Sequence, residues 1–202
     1  MKLSMNFLKD YVDIDVPVKT LAEDMTKVGN EYDAAGDLIE ATNLVIGEIK
    51  ECTEHPDSDH LHVCMVDCGE GELRQIVCGA PNARKGIKVI VALPGATLPG
   101  DVTIKQGFIR GVESNGMMCS IAELGLESKF LKPEDKEGIH ELPSDAPVGG
   151  NPIKFMEMDD SVIDFELTAN RGDLLSILGM AYEVGAIYNK PVKTIDLSHK
   201  EE

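Results

Sequence analysis

Four side chains in one short run, His60, His62, Cys64 and Cys68, are of the types that bind zinc, and Cys78 follows in the next strand-like run. Imidazole nitrogen and thiolate sulfur are the donors zinc prefers. The spacing argues against a metal centre. Side chains alternate along an extended chain, so the four share one face. Ligands at alternate positions of one strand spread over about 13 Å, too far to close a tetrahedron. Structural zinc sites favour a CxxC-type knuckle, and the chain has none. The expectation is therefore no metal, with buried or half-buried thiols and solvent-facing imidazoles.

Other chemistry-bearing patterns are equally bland. There is no GxxxxGK[ST] phosphate loop and no nucleophile elbow, so nothing supports catalysis. Arg171-Gly172-Asp173 spells a cell-adhesion tripeptide, but ahead of a helix it reads as incidental. The five cysteines are an odd number, and the N-terminus carries Lys2, Lys9 and Asp10 where a secreted protein would have an apolar run. Reduced thiols and a cytoplasmic location are expected. No stretch reaches the roughly 20 apolar residues of a membrane span.

These residues must be positioned by two kinds of element. Residues 4–11 read as a helix capped by Ser4. Residues 18–28 read as a second, with Val18, Leu21, Ala22, Met25 and Val28 on one stripe and Gly29 at its C-terminal end. From about residue 43, short runs rich in β-branched residues alternate with turn clusters, which predicts a small antiparallel barrel or sandwich. After residues 142–152 a strand-like SVIDFEL leads to a helix over 174–188. Leu174, Leu178, Ala181, Gly185 and Tyr188 are expected on its core face, with Asp173 as its N-cap. The order helical, β, helical predicts a barrel inserted into a discontinuous helical domain with a minor strand pair.

The net charge of −17 is spread along the chain. Residues 1–42 hold 4 basic and 9 acidic side chains, residues 43–150 hold 10 and 17, and residues 151–202 hold 5 and 10. Phosphate neutralisation needs Lys and Arg, so bulk charge argues against tight, nonspecific nucleic-acid binding.

Three clusters stand in order in the central region: HPDSDHL at 55–61, IVCGAPNARKGIKV at 76–89 and IRGVESNGMMCSIAELGL at 109–126. Together they resemble the tRNA-binding OB-fold domain. The family often has Lys between Asp59 and Leu61, where this chain has His60. The flanks MKLSMNFLKDYVDI, LAEDMTKVGNEYD and DFELTANRGDLLSILGMAYEVGAIYNKPV resemble the N-terminal region of the bacterial phenylalanyl-tRNA synthetase β subunit. The resemblance implies an α+β fold: a five-stranded OB-fold β-barrel inserted into a small, discontinuous helical, winged-helix-like domain. Residues 1–40 and 152–195 would form the helical domain, 41–151 the barrel, and 196–202 a tail or the start of a linker.

The resemblance also implies function. The chain would be a non-catalytic scaffold and auxiliary tRNA-binding module. The parent enzyme, a class II ligase, would attach phenylalanine to tRNA with ATP and Mg2+, in an (αβ)2 assembly whose α subunit performs aminoacylation. No cofactor, DNA or membrane is expected for this chain. An OB barrel meets RNA with cations on phosphates and apolar groups under bases. The RNA-binding candidates are Arg74, Arg84, Lys85, Lys88, Lys105 and Arg110, with Ser114, Asn115 and Met117 on the turn the family uses. Arg171 is expected in an ion pair and Asp173 as a cap. The acidity and the near absence of aromatics, Phe108 and Phe130 only in this segment, leave two alternatives open. One is a barrel acting as a protein-interaction or assembly module. The other is a free-standing tRNA-binding or chaperone-like protein.

Overall fold

The computed structural model describes residues 1–126, 138–194 and 198. Phe130 and, apart from Ser198, the expected tail at 196–202 lie outside the described residues. The fold is α+β, with mostly short strands and few helices. The chain gathers into two compact units, Met1–Leu38 with Asp160–Glu202, and Ile39–Asp159.

The first unit opens with β1 (Lys2–Ser4), α1 (Met5–Tyr11), α2 (Val18–Lys27) and β2 (Glu31–Asp37). Ser4 caps α1 as its residue type dictates, its Oγ accepting from the Phe7 N–H at 3.1 Å. Leu21, Ala22 and Met25 of α2 are buried, three of the five positions of the expected stripe. Gly29, at φ +94°, turns the chain out of α2.

The second unit contains β3 (Leu44–His55), β4 (Ser58–Asp67), β5 (Leu73–Cys78), β6 (Lys88–Ala92), β7 (Thr97–Leu98), β8 (Val102–Thr103), β9 (Gly107–Ile109), β10 (Val112–Ser114), β11 (Met117–Cys119), β12 (Glu141–Leu142) and α3 (Pro152–Phe155), the last numbered among the helices. Its main sheet runs β11-β6-β3-β4-β5, all antiparallel, and β12 also pairs with β6. The apolar run of β6 is buried on both faces. Val89 and Val91 join Ile49, Cys64, Val66 and Ile76 on one side. Ile90 and Ala92 join Ile46, Leu98, Ile121 and Leu124 on the other. A continuous rather than alternating apolar strand is what such double burial requires. Gly47 lets β3 approach closely, because a Cβ there would fall 2.6 Å from Val91 Cγ2 and 2.7 Å from Val66 Cγ1. Register shifts after Ile49 and after Glu54 bend β3 toward its turn at residues 55–58.

The chain then returns with β13 (Ser161–Glu166), a 3-10 turn at Gly172–Leu175 and α4 (Ile177–Tyr188). Where a strand pair was expected, β1, β13 and β2 form a three-stranded antiparallel sheet. Two further expectations need correction. The N-cap of the last helix is Ser176, whose Oγ accepts from the Gly179 N–H at 3.0 Å, not Asp173. The buried face is Met180, Ala181, Val184 and Gly185, while Leu175, Leu178 and Tyr182 are exposed. Of the expected face, Leu174, Ala181 and Gly185 are buried and Tyr188 packs against the core, so only Leu178 departs from it, while Met180 and Val184 extend the buried face.

All five cysteines are free thiols. Cys64 follows His62 at the alternate position of β4, but its thiol is turned to another thiol rather than to the imidazole. It pairs in register with Cys52, and its thiol donates to Cys52 Sγ at 3.6 Å. Among the described residues no three His, Cys, Asp or Glu side chains are grouped closely enough to hold a metal ion. His60 is exposed, whereas His62 is half-buried with Nδ1 shielded from water, which departs from the solvent-facing expectation. Burial pushes the Cys68 thiol up to about 11 and the Cys119 thiol up to about 12. Only Cys52 among the five is not fully buried. A native-state thiol titration should therefore show one fast-reacting cysteine, Cys52, and four that react only after denaturation. Two or more fast thiols would contradict this packing.

Candidate nucleic-acid interface

The nine residues expected at an RNA surface are handled in three ways. Some are tied into the protein's own structure. Arg74, on β5, donates from Nε to Glu70 Oε2 at 2.6 Å and from Nη1 to Asn115 Oδ1 at 3.1 Å. The guanidinium holds the Glu70 carboxyl below its ordinary range. Arg84 grips Glu141 with both terminal nitrogens, at 2.6 and 2.7 Å, and lowers that carboxyl likewise. Such a fork-to-fork pair uses the geometry a phosphate would need. Lys88 turns inward, its Nζ donating to the Ala146 carbonyl at 2.5 Å.

Ser114 and Asn115 serve the edge of β5. Ser114 is buried, and its Oγ accepts from the Val77 N–H at 3.1 Å and donates to the Gly116 carbonyl at 3.2 Å. The Asn115 N–H donates to the Gln75 carbonyl at 2.8 Å. These bonds satisfy the outer edge of β5, which a strand partner would otherwise have to cover. Met117 is half-buried and lines a groove of about 330 Å³ with Val77, Gly79, Ser120 and Ile139. Two of the three sequence clusters, 76–89 and 109–126, meet along this groove.

Lys85, Lys105 and Arg110 remain exposed. Arg110 sits at the tip of the β9–β10 hairpin with φ +47°, followed by Gly111 at φ +82°. A two-residue hairpin turn requires this left-handed pair, and glycine or asparagine is the usual first occupant. Its Nη1 donates to the Asp57 carbonyl at 3.0 Å. The buried His55 ring bonds the Ile109 carbonyl through Nε2 at 3.1 Å, so the hairpin is tied to the β3–β4 turn at both points.

Two features escaped the sequence reading. Phe108 on β9 is 75% exposed, the highest value for a large apolar side chain among the described residues. The second is charge. Averaging over residues 43–150 hides a stretch, 73–112, that holds six cations and a single carboxylate, Asp101. A sliding count of charge would have found it. The basic candidates all lie in that stretch.

Outside the second unit, Arg171 makes the expected ion pairs, with Asp173 at 3.1 Å and Glu183 at 3.0 Å. Its Nη1 also donates to the buried Asn30 side chain at 3.1 Å. The tripeptide is thus a structural knot in the first unit.

Residues 44–151 match the family described as "Putative tRNA binding domain". The phenylalanine–tRNA ligase beta subunit of Streptococcus pneumoniae serotype 4 is 47% identical over 197 residues, covering 95% of this chain and 24% of that protein. The beta subunit of Geobacillus kaustophilus is 46% identical over 203 residues, covering 100% of this chain and 25% of its own length. That of Lactiplantibacillus plantarum is 46% identical over 191 residues, with 94% and 24% covered. The chain spans about a quarter of the length of these curated relatives. Among solved structures, a MetRS related protein from Pyrococcus horikoshii aligns over 52% of this chain and 84% of its own at 24% identity, with a TM-score of 0.37. Through the match that spans its second unit from β3 to Asn151, the chain belongs to the tRNA-binding domain family.

Proposed function

We propose that this chain is the non-catalytic N-terminal part of a phenylalanine–tRNA ligase beta subunit, acting as scaffold and auxiliary tRNA surface. The observation that carries this reading is identity of 46–47% along 94–100% of the chain to proteins of that name. The parent would work in the cytoplasm as an (αβ)2 assembly that uses ATP and Mg2+ elsewhere than in this chain. Within the chain, residues 41–151 would be a five-stranded OB barrel, and residues 1–40 with 152–195 the winged-helix-like domain that carries it. The bonds from Ser114 and Asn115 to β5 support the barrel, because they bridge β5 toward the segment that continues into β11 on the far side of the sheet.

Of the candidate cations, Lys85, Lys105 and Arg110 are the best placed to meet phosphates, since Arg74 and Arg84 are neutralised by carboxylates and Lys88 turns inward. Exposed Arg110, by contrast, commits one nitrogen to a backbone carbonyl and faces no carboxylate among the described residues. Three cations predict a shallow salt dependence, a log–log slope of about −2 to −3. The test is a titration of labelled phenylalanine tRNA with the 202-residue chain at low ionic strength. Weak binding with that slope is expected. No binding at about 100 µM, corresponding to less than roughly 5.5 kcal/mol of affinity, overturns the RNA reading and favours an assembly module.

A further inference from the structure

We propose that the β9–β10 hairpin is a base-stacking finger: the exposed Phe108 ring takes an unpaired RNA base, with Lys105 and Arg110 available to the adjoining phosphates. The inference rests on the RNA reading above and names its contact point. Three observations converge on this hairpin.

The first is exposure against cost. A phenylalanine 75% open to water gives up the burial that usually accounts for its presence. Val102 on β8 and Ile109 beside it are also exposed. The chain's aromatic content is only 4%, so an aromatic ring left in water is a rare feature here. Stacking is the interaction that single-stranded nucleic acid offers to an isolated aromatic face, and it tolerates every base.

The second is rigidity. Phe108 pairs with Glu113 across the hairpin, and Gly107 pairs with the buried Ser114. The tip is fixed by the His55–Ile109 and Arg110–Asp57 bonds. A ring held on such an element loses little freedom on binding. Arg110 also occupies a left-handed conformation that a non-glycine residue enters at a cost of about 1 kcal/mol, strain of the kind that collects at binding sites.

The third is charge. Residues 102–112 carry Lys105 and Arg110 and no carboxylate, between Asp101 and Glu113 and beside the Asp57–Asp59 turn, in a chain of net charge −17. Glu113, the acidic neighbour of the ring, is held by Gln106 Nε2 at 2.5 Å. Polyanionic RNA is complementary to that stretch; an acidic second copy of this chain is not.

The chain contains no tryptophan, so Phe108→Trp places a single, selectively excitable tryptophan at the proposed contact. The experiment uses the 202-residue chain with phenylalanine tRNA and with single-stranded oligoadenylate. Phe108→Ala is expected to weaken binding at least about fivefold, the lower end of what loss of one stacked base produces. Phe108→Trp is expected to retain binding, with its emission quenched by either RNA. Equal binding by wild type and Phe108→Ala, with unquenched tryptophan, overturns the finger and leaves the RNA reading standing. Failure of the wild-type chain to bind either RNA overturns both. A change in sedimentation of Phe108→Ala without a change in RNA affinity overturns the finger and marks Phe108 as a protein contact.

Discussion

Gly179→Ala lowers the stability of the chain by about 3 kcal/mol or more, visible as a melting temperature reduced by roughly 6–12 °C. The usual expectation has the opposite sign. Inside a helix, alanine is favoured over glycine by about 1 kcal/mol. Here the helix meets its own entry. Gly179 lies in the first turn of α4, under the 3-10 turn at Gly172–Leu175. A Cβ would stand 1.9 Å from the Asp173 carbonyl oxygen and 2.9 Å from its carbon. Those are backbone atoms and cannot swing aside as a side-chain tip does. Moving them disturbs Asp173, which Arg171 holds at 3.1 Å, and through Arg171 the bonds to Asn30 and Glu183. The propensity gain is outweighed about threefold. Gly172→Ala, where the added atom meets nothing within 4 Å, is the control and should stay within about 0.5 kcal/mol of wild type. Equal melting of both variants would show that the 3-10 turn does not press on α4.

The first two helices were legible in the sequence because their signals are local. Ser4 caps α1, and the 3.6-residue stripe of α2 does not depend on anything distant. The same holds for β6, whose unbroken apolar run announces burial on both faces. β2 was not legible. Its sequence, Glu-Tyr-Asp-Ala-Ala-Gly-Asp, shows no alternation, and it is a strand because β13 offers it a partner edge more than a hundred residues later. The start of α4 was misread for a local reason: the 3-10 turn at Gly172–Leu175 precedes it, so the cap falls on Ser176 and Leu178 is left exposed, while Leu174, Ala181 and Gly185 face the core as expected.

The site divides in the same way. The residue types of an RNA surface were readable, but their partners were not. Arg84 meets Glu141 across 57 positions of sequence, and Arg74 meets Asn115 across 41. Nothing in composition or spacing distinguishes a cation awaiting phosphate from one already held by a carboxylate. The partners found in the fold make that distinction, and they move the weight from Arg74, Arg84 and Lys88 to the hairpin around Phe108.

Ser114 gives the sharpest contrast between a binding residue and a building one. Its hydroxyl is enclosed and serves two backbone groups, the Val77 N–H and the Gly116 carbonyl. In Ser114→Ala both would lose that partner, the Val77 N–H in a region closed to water. A buried donor or acceptor stripped of its partner costs about 1–3 kcal/mol. The loss falls at the edge of β5, where Asn115 N–H to Gln75 is the neighbouring tie at 2.8 Å. Ser114→Ala should therefore lower the unfolding free energy from denaturant titration by that amount while leaving tRNA affinity within about twofold of wild type under folding conditions, a difference of under roughly 0.5 kcal/mol. Lys105→Ala should do the reverse, because its side chain is exposed and surface substitutions leave stability within about 0.5 kcal/mol. If instead Ser114→Ala left stability unchanged and weakened tRNA binding, the hydroxyl would have to face the ligand, and the bridging role at the β5 edge would be wrong.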